Sequence, residues 1–194
     1  MTHKDRKALI GAIESTQFHK PLILQGGVDI NPKLYGESPH PHTQHPNDVR
    51  DAREIAAVKQ AWAEGRPVIG ICRGAQLLCV LNGGKLYQHT PDHGCSHPIT
   101  TKDGEVFKEV AAGHHQMMIP AGDFVVYGYD GRSSKCYDAN NKEHIIKNAP
   151  EVVWWKETKS LAIQPHPEWM PHHFPFNMWL NRLIKELLNI DGVF

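Results

Sequence analysis

The chain has no excess of charge of either sign: 21 Lys and Arg stand against 21 Asp and Glu over 194 residues. A balanced composition lacks the basic footprint that nucleic acid or an anionic membrane surface selects, so neither is an expected partner. No apolar run approaches the roughly 20 residues that cross a bilayer. The polar opening Met-Thr-His-Lys-Asp-Arg-Lys has no apolar core of a secretory leader. Cysteine is scarce, and Cys72, Cys79, Cys95 and Cys136 show no disulfide-framework spacing, which suits free thiols in a reducing cytoplasm. No internal repeat, low-complexity tract or linker divides the sequence, so a single domain over residues 1–194 is expected. Histidine is abundant instead, with 14 copies, 11 of them grouped at residues 40–45, 89–97, 114–115 and 166–173.

Apolar periodicity predicts a helix over Asp5–Phe18, a buried strand over Pro21–Gln25 and a helix over Asp48–Gly65, with Gly65 placed to end it. The segment Asn31–Asn47 is rich in Pro, Gly and His without a period and reads as a surface loop. A strand at Pro67–Ile71 and a helix at Gly74–Asn82 follow, then short β-type runs at Leu86-Tyr87, Phe124–Tyr127, Val152–Trp155 and Leu161–Gln164, and a closing helix at Met178–Leu188. Strands alternating with helices in the first half predict an α/β domain: a mostly parallel central sheet with helices on both faces, plus an added antiparallel β region from the second half.

Within that order, Gly70-Ile71-Cys72-Arg73-Gly74 places a thiol between small residues where a strand turns into a helix. Such an elbow exposes the side chain at a sheet end, next to helix N-terminal amides that favour a thiolate. The same pattern also suits a buried cysteine beside a tight turn. His166-Pro167-Glu168 follows another strand. Parallel strands deliver their C-terminal ends to one edge, so the thiol gains a base in His166 and the base a carboxylate in Glu168.

These residues bring out a family pattern. The chain resembles class I glutamine amidotransferase domains, and more closely their γ-glutamyl hydrolase (peptidase C26-like) branch. Leu24–Gly36, Gly70–Gln76 with Asn82-Gly83-Gly84, His114-His115-Gln116 and Gln164–Glu168 carry the likeness, in the branch's order. The resemblance implies a flavodoxin-like fold and a catalytic set of Cys72, His166 and Glu168. It implies an oxyanion hole from the amides of Gly27 and Arg73, and recognition of the glutamyl end by Gln76, His115 and Gln116. The implied reaction is cleavage of a γ-glutamyl amide, in glutamine or a γ-glutamyl compound, through a thioester. It needs no metal, flavin or nucleotide. A glutaminase subunit feeding ammonia to a separate synthetase is the alternative, and a non-catalytic binding module of the same fold the lesser one.

Members of the branch begin with an additional strand, helix and strand before the position of Leu22, whereas here one helix precedes it. The expected fold is therefore shortened at its N-terminus, and a second copy of the chain is one candidate to cover the open sheet edge. Several residues are read blandly. His89-x3-His93-x-Cys95-x-His97 has ligand-type residues but matches no standard structural zinc spacing, so no metal is expected. His40, His42 and His45 read as a solvated loop; Asp48, Arg50 and Asp51 as helix-capping charge; Cys79 and Trp154-Trp155 as core; Trp169 as a pocket wall; His172-His173 as surface.

Overall fold

The computed structural model describes residues 20–194; the helix expected at Asp5–Phe18 lies outside them. The described residues form nine strands and three helices. The strands are β1 (Leu22–Leu24), β2 (Val68–Ile71), β3 (Lys85–Tyr87), β4 (His97–Thr101), β5 (Val106–Val110), β6 (Met117–Ile119), β7 (Val125–Tyr137), β8 (Glu143–Trp155) and β9 (Ser160–Ile163). The helices are α1 (Asp48–Ala63), α2 (Arg73–Leu81) and α3 (Pro175–Leu188).

Seven strands form one sheet in the order β1-β2-β9-β8-β7-β4-β5, and β3 pairs with β6 separately. The parallel part is the trio β1, β2 and β9. The remaining strands add to it antiparallel, making the added β region larger than the sequence suggests. Alternation along the strands divides the core. Leu24, Val68, Ala162, Val153 and Trp155 face α1 and α2, whereas Ile69, Leu161, Ile163, Val152 and Trp154 face α3. Successive side chains of a strand point to opposite faces, so a strand covered on both sides must be apolar throughout. Val68–Ile71 and Ser160–Ile163 are buried at every position. Helices on both faces are thus as expected.

The Asn47 side chain accepts from the Arg50 amide and caps α1. Gly65, at φ 66°, takes the left-handed position that follows it. Among the described residues β1 pairs with β2 alone, so its outer side is the edge of the parallel part. Beyond the body, β7 and β8 continue as a long ribbon whose outer half is mostly exposed. No helix among the described residues is long and apolar enough to cross a membrane.

Candidate active site

β2 ends at Ile71 and α2 starts at Arg73, leaving Cys72 as the single residue that turns the chain. Its backbone sits at φ 49°, ψ −106°. A non-glycine residue there stores on the order of 1–3 kcal/mol of strain, held only because its surroundings fix it. The fixing groups are visible. The Cys72 amide donates to the Ile163 carbonyl at 2.8 Å, extending the β2–β9 ladder, and the Cys72 carbonyl accepts from the Gln76 amide at 3.0 Å, opening α2. The flanking glycines follow from packing. A Cβ on Gly74 would lie 2.6 Å from the Leu24 carbonyl oxygen, and one on Gly70 would collide with the Gly74 carbonyl.

His166 arrives from β9. Its amide donates to the Ala111 carbonyl at 2.8 Å, and Asn177 Nδ2 on α3 donates to the Pro167 carbonyl at 3.0 Å. Its Nδ1 lies 2.7 Å from Glu168 Oε1. A carboxylate accepts, so Nδ1 carries the proton and Nε2 is left for exchange with a nucleophile. The Trp169 indole stacks on the imidazole, with centroids 3.6 Å apart and planes within 2°. Trp169 is 61% exposed, so it is a wall as expected, and it holds the ring directly. Gly26 lies between the two side chains: a Cβ built there would lie 2.9 Å from His166 Cε1 and 3.5 Å from Cys72 Cβ. Both side chains flank one small space, kept open because residue 26 has no side chain.

Cys72 is 6% exposed. Burial pushes its thiol up to about 12, and the charges of Glu168, Glu151 and Asp29 add to that; the Arg73 amide opposes them. The thiolate expected from the helix N-terminus is therefore outweighed by desolvation. Ionising the thiol alone at pH 7 would cost roughly 7 kcal/mol, so burial opposes a standing thiolate.

Asp48 sits in the first turn of α1 and accepts from Asn31 Nδ2 at 2.7 Å, but Arg50 and Asp51 are tied into a network beyond the helix end rather than serving only as cap charge. Asp51 is buried and pairs with the fully buried Arg73, which also pairs with Glu54. Glu54 Oε1 in turn accepts from Arg50 Nε at 2.8 Å. Arg50 Nη2 donates to the carbonyls of Gln25 and Gly26, each at 3.0 Å. In a planar trans peptide the N–H points opposite the C=O, so the Gly27 amide is turned away from that guanidinium. Asp51 and Glu54, three residues apart on one helix face, were the sequence signal for this network.

The expected recognition residues are placed unequally. His115 is partly exposed and its Nε2 lies 3.0 Å from Asp29 Oδ1. The other Asp29 oxygen accepts from the Gln44 amide at 2.7 Å, which ties the 31–47 loop to this corner. Gln76 is buried, with Nε2 3.4 Å from Gln164 Oε1. Gln116 is fully buried and donates to the Gln88 carbonyl at 3.4 Å. The loop histidines are not all solvated. His42 and His45 are exposed, but His40 is buried, with Nε2 2.8 Å from Asn141 Oδ1. His89 stacks on His42 at 4.2 Å, while His93 and His97 turn inward and Cys95 outward. Cys79 and both Trp154 and Trp155 are core, and His172-His173 are exposed, as expected.

A two-sided α/β sheet with a thiol on its elbow, and an imidazole–carboxylate pair past the adjacent strand, has the architecture of the class I glutamine amidotransferases. A GMP synthase subunit from Thermoplasma acidophilum superposes with a TM-score of 0.52 at 14% identity, covering 87% of this chain and 72% of that one; at that identity the likeness is one of fold. The chain belongs to the peptidase C26 family, whose model matches residues 9–134. A Mycobacterium tuberculosis protein named as a glutamine amidotransferase is 52% identical over 166 residues, covering 76% of this chain and 50% of the relative. The glutamine amidotransferase-like protein YvdE of Lactococcus lactis is 30% identical over 178 residues, covering 79% of this chain and 68% of the relative. The chain thus spans about half the length of the mycobacterial protein.

Proposed function

We propose that the protein is a cysteine-dependent hydrolase of the γ-glutamyl amide bond, acting on glutamine or a γ-glutamyl amine. The observation that carries this reading is the shared space at Gly26, flanked by a strained Cys72 and by a His166 held on Glu168. In the first step Cys72 Sγ bonds to the γ-carbonyl carbon as His166 Nε2 takes the thiol proton. The carbonyl oxygen becomes an oxyanion that the amides of Gly27 and Arg73 receive; one such donor is worth about 3 kcal/mol. The C–N bond then breaks, His166 gives its proton to the departing amine or ammonia, and a glutamyl thioester remains. Water, deprotonated by His166, attacks the thioester; glutamate leaves and the thiol is restored. Glu168 keeps the imidazole in one tautomer throughout.

His115 and the segment around Gln116 would bind the α-amino and α-carboxylate ends, and Gln76 would bound the glutamyl chain from the α2 side. The test is glutamate release from glutamine and a panel of γ-glutamyl amides. Cys72→Ala abolishes it, and a glutamine-mimicking electrophile labels Cys72 in the wild type. Full activity in Cys72→Ala, or labelling confined to Cys95, overturns the reading. The amidotransferase names of the relatives support a second use of the same chemistry, delivery of the released ammonia to a synthetase partner. Weak glutamine hydrolysis alone with strong stimulation by a co-purifying synthetase selects that use.

A further inference from the structure

Behind the catalytic loop lies a cluster that the proposed reaction does not use. His93, His97, His114, Glu151 and Asp130 come from separate segments of the chain, and all five side chains are fully buried. His97 Nδ1 is 3.1 Å from the Cys95 carbonyl and His114 Nδ1 is 3.0 Å from the Gln116 carbonyl. A carbonyl only accepts, so both rings carry a proton on Nδ1. In their neutral form both therefore turn an Nε2 lone pair inward. What those lone pairs meet is another acceptor: Glu151 Oε1 lies 3.5 Å from His97 Nε2, and Glu151 Oε2 lies 3.6 Å from His114 Nε2. His93, whose Nδ1 is 3.1 Å from Thr90 Oγ1, brings its Nε2 to 3.8 Å from Glu151 Oε1 and 3.1 Å from Asp130 Oδ2.

His97 Nε2, His114 Nε2 and both oxygens of Glu151 have no hydrogen-bond partner among the described residues. Converging acceptors in a dry interior repel one another unless a cation stands between them. One proton can bridge a single edge of this cluster and leaves the others facing lone pair to lone pair. The spacing points the same way. Four ligands at 2.0–2.1 Å around a tetrahedral ion stand about 3.3–3.4 Å apart, close to the 3.5 and 3.6 Å seen here and long for a charge-assisted hydrogen bond.

We propose that His97, His114 and Glu151 form a structural centre for a divalent transition ion, zinc in the first instance, with His93 beside it engaged on Asp130. Imidazole nitrogen with one carboxylate suits zinc, whereas magnesium and calcium demand oxygen donors. With every ligand fully buried, the centre is structural rather than one that presents water to a substrate. The carbonyls of Cys95 and Gln116 are the outer partners that fix the two rings for ligation, as metal-bound histidines require. Asp130, clamped by Arg132, adjoins the His93 nitrogen and neutralises the remaining charge.

The location gives such an ion a task. Glu151 accepts the Gln164 amide through its main chain at 2.8 Å, one residue before Pro165-His166. The His114 amide donates to the His93 carbonyl at 3.1 Å, and His115 follows at the site. An ion here staples β8, β4 and the 111–116 strip beneath the catalytic histidine. The sequence pointed partway: His97 stood in the candidate string, but Cys95 does not belong, His93 turns to Asp130, and His114 and Glu151 are far along the chain.

The test uses the untagged full-length chain, purified without chelator. Metal analysis is expected to give about one zinc per chain in the wild type and in the surface control His172→Gln, and a loss of it in His97→Gln and Glu151→Gln. Because those variants can fail to fold, wild-type protein stripped with a chelator supplies the second arm. Adding Zn²⁺ raises its melting temperature, and Co²⁺ produces the intense visible bands of a tetrahedral nitrogen and oxygen site. Substoichiometric metal in the wild type, together with no thermal shift and no cobalt bands on reconstitution, overturns the proposal.

Discussion

The most direct probe of the site is one methyl group, introduced as Gly26→Ala. Gly26 is not in a left-handed conformation, so alanine imposes no backbone penalty there. The cost is spatial. The new Cβ lies 2.9 Å from His166 Cε1, and an ordinary contact begins near 3.4 Å, so the imidazole or the loop must retreat by about 0.5 Å. The loop is held by the two Arg50 bonds to the carbonyls of Gln25 and Gly26. The imidazole is held by Glu168 and by the stacked Trp169. Trp169 is the more exposed of these restraints, so the ring yields on that side, away from Cys72. A displacement of 0.5–1 Å between nucleophile and base costs on the order of 10²-fold in rate, and the methyl also occupies space the acyl carbon needs. Glutamate release from the best γ-glutamyl amide should therefore fall about 100-fold or more, while the melting temperature moves by only a few degrees. Activity within about threefold of wild type would show that thiol and imidazole do not work across this space.

Three further outcomes follow from the same geometry. With the Cys72 thiol pushed up to about 12, its thiolate fraction rises tenfold per pH unit through the neutral range, so alkylation of Cys72 by a neutral haloacetamide, followed by site-resolved mass spectrometry, should climb steadily from pH 7 to 10; a plateau below pH 8 would reveal a preformed ion pair with His166. Arg50→Met removes the donor that turns the Gly26 carbonyl, and should lower kcat by about 10- to 100-fold with KM changed little, because the oxyanion exists only in the transition state; a rise in KM at constant kcat would contradict this. Arg73→Met leaves Asp51 buried and unpaired and should destabilise by about 3–5 kcal/mol in urea unfolding, most of which Asp51→Leu restores in the double variant; a double variant no more stable than the single would refute the pairing.

The parallel half of the fold was legible because its strands are covered on both faces and so appear as unbroken apolar runs, as Val68–Ile71 does. The turn at Cys72 was legible because an elbow must be written in small residues: the Gly70 and Gly74 positions are dictated by carbonyls a Cβ would strike. The antiparallel ribbon was not. One face of its outer half carries Ser133, Lys135, Glu143 and Lys147, and the other buries only the small residues Ser134, Cys136 and Ala149, which make no apolar stripe from which to read its length. The charged networks were illegible for another reason. Arg50 and Asp51 look the same in sequence whether they cap a helix or hold a loop 24 residues upstream, and only the fold decides. His40 escaped likewise, since its partner Asn141 lies 101 positions away.

Why should this site be framed by charge rather than by packing? The two segments that carry it, Gln25-Gly26-Gly27 and Pro165-His166-Pro167-Glu168, contain no large aliphatic side chain with which to anchor themselves in the core. Apolar contact is also indifferent to the direction of a carbonyl, whereas an oxyanion hole depends on that direction. The glycine loop is accordingly tethered by hydrogen bonds to a charged network behind it, and the 165–168 segment by the Ala111 carbonyl and the Asn177 amide. Arg50, Asp51 and Glu54 of α1, with Arg73 of α2, fix the glycine loop, and Glu151 with its three histidines lies behind the β9 side, joined to it through the Gln164 amide. Buried ion pairs add little net stability over apolar packing of the same volume. Their presence on both flanks of Cys72 therefore argues for selection on the orientation of main-chain groups, and it explains how segments this poor in hydrophobic side chains hold Cys72 and His166 around a space one methyl group wide.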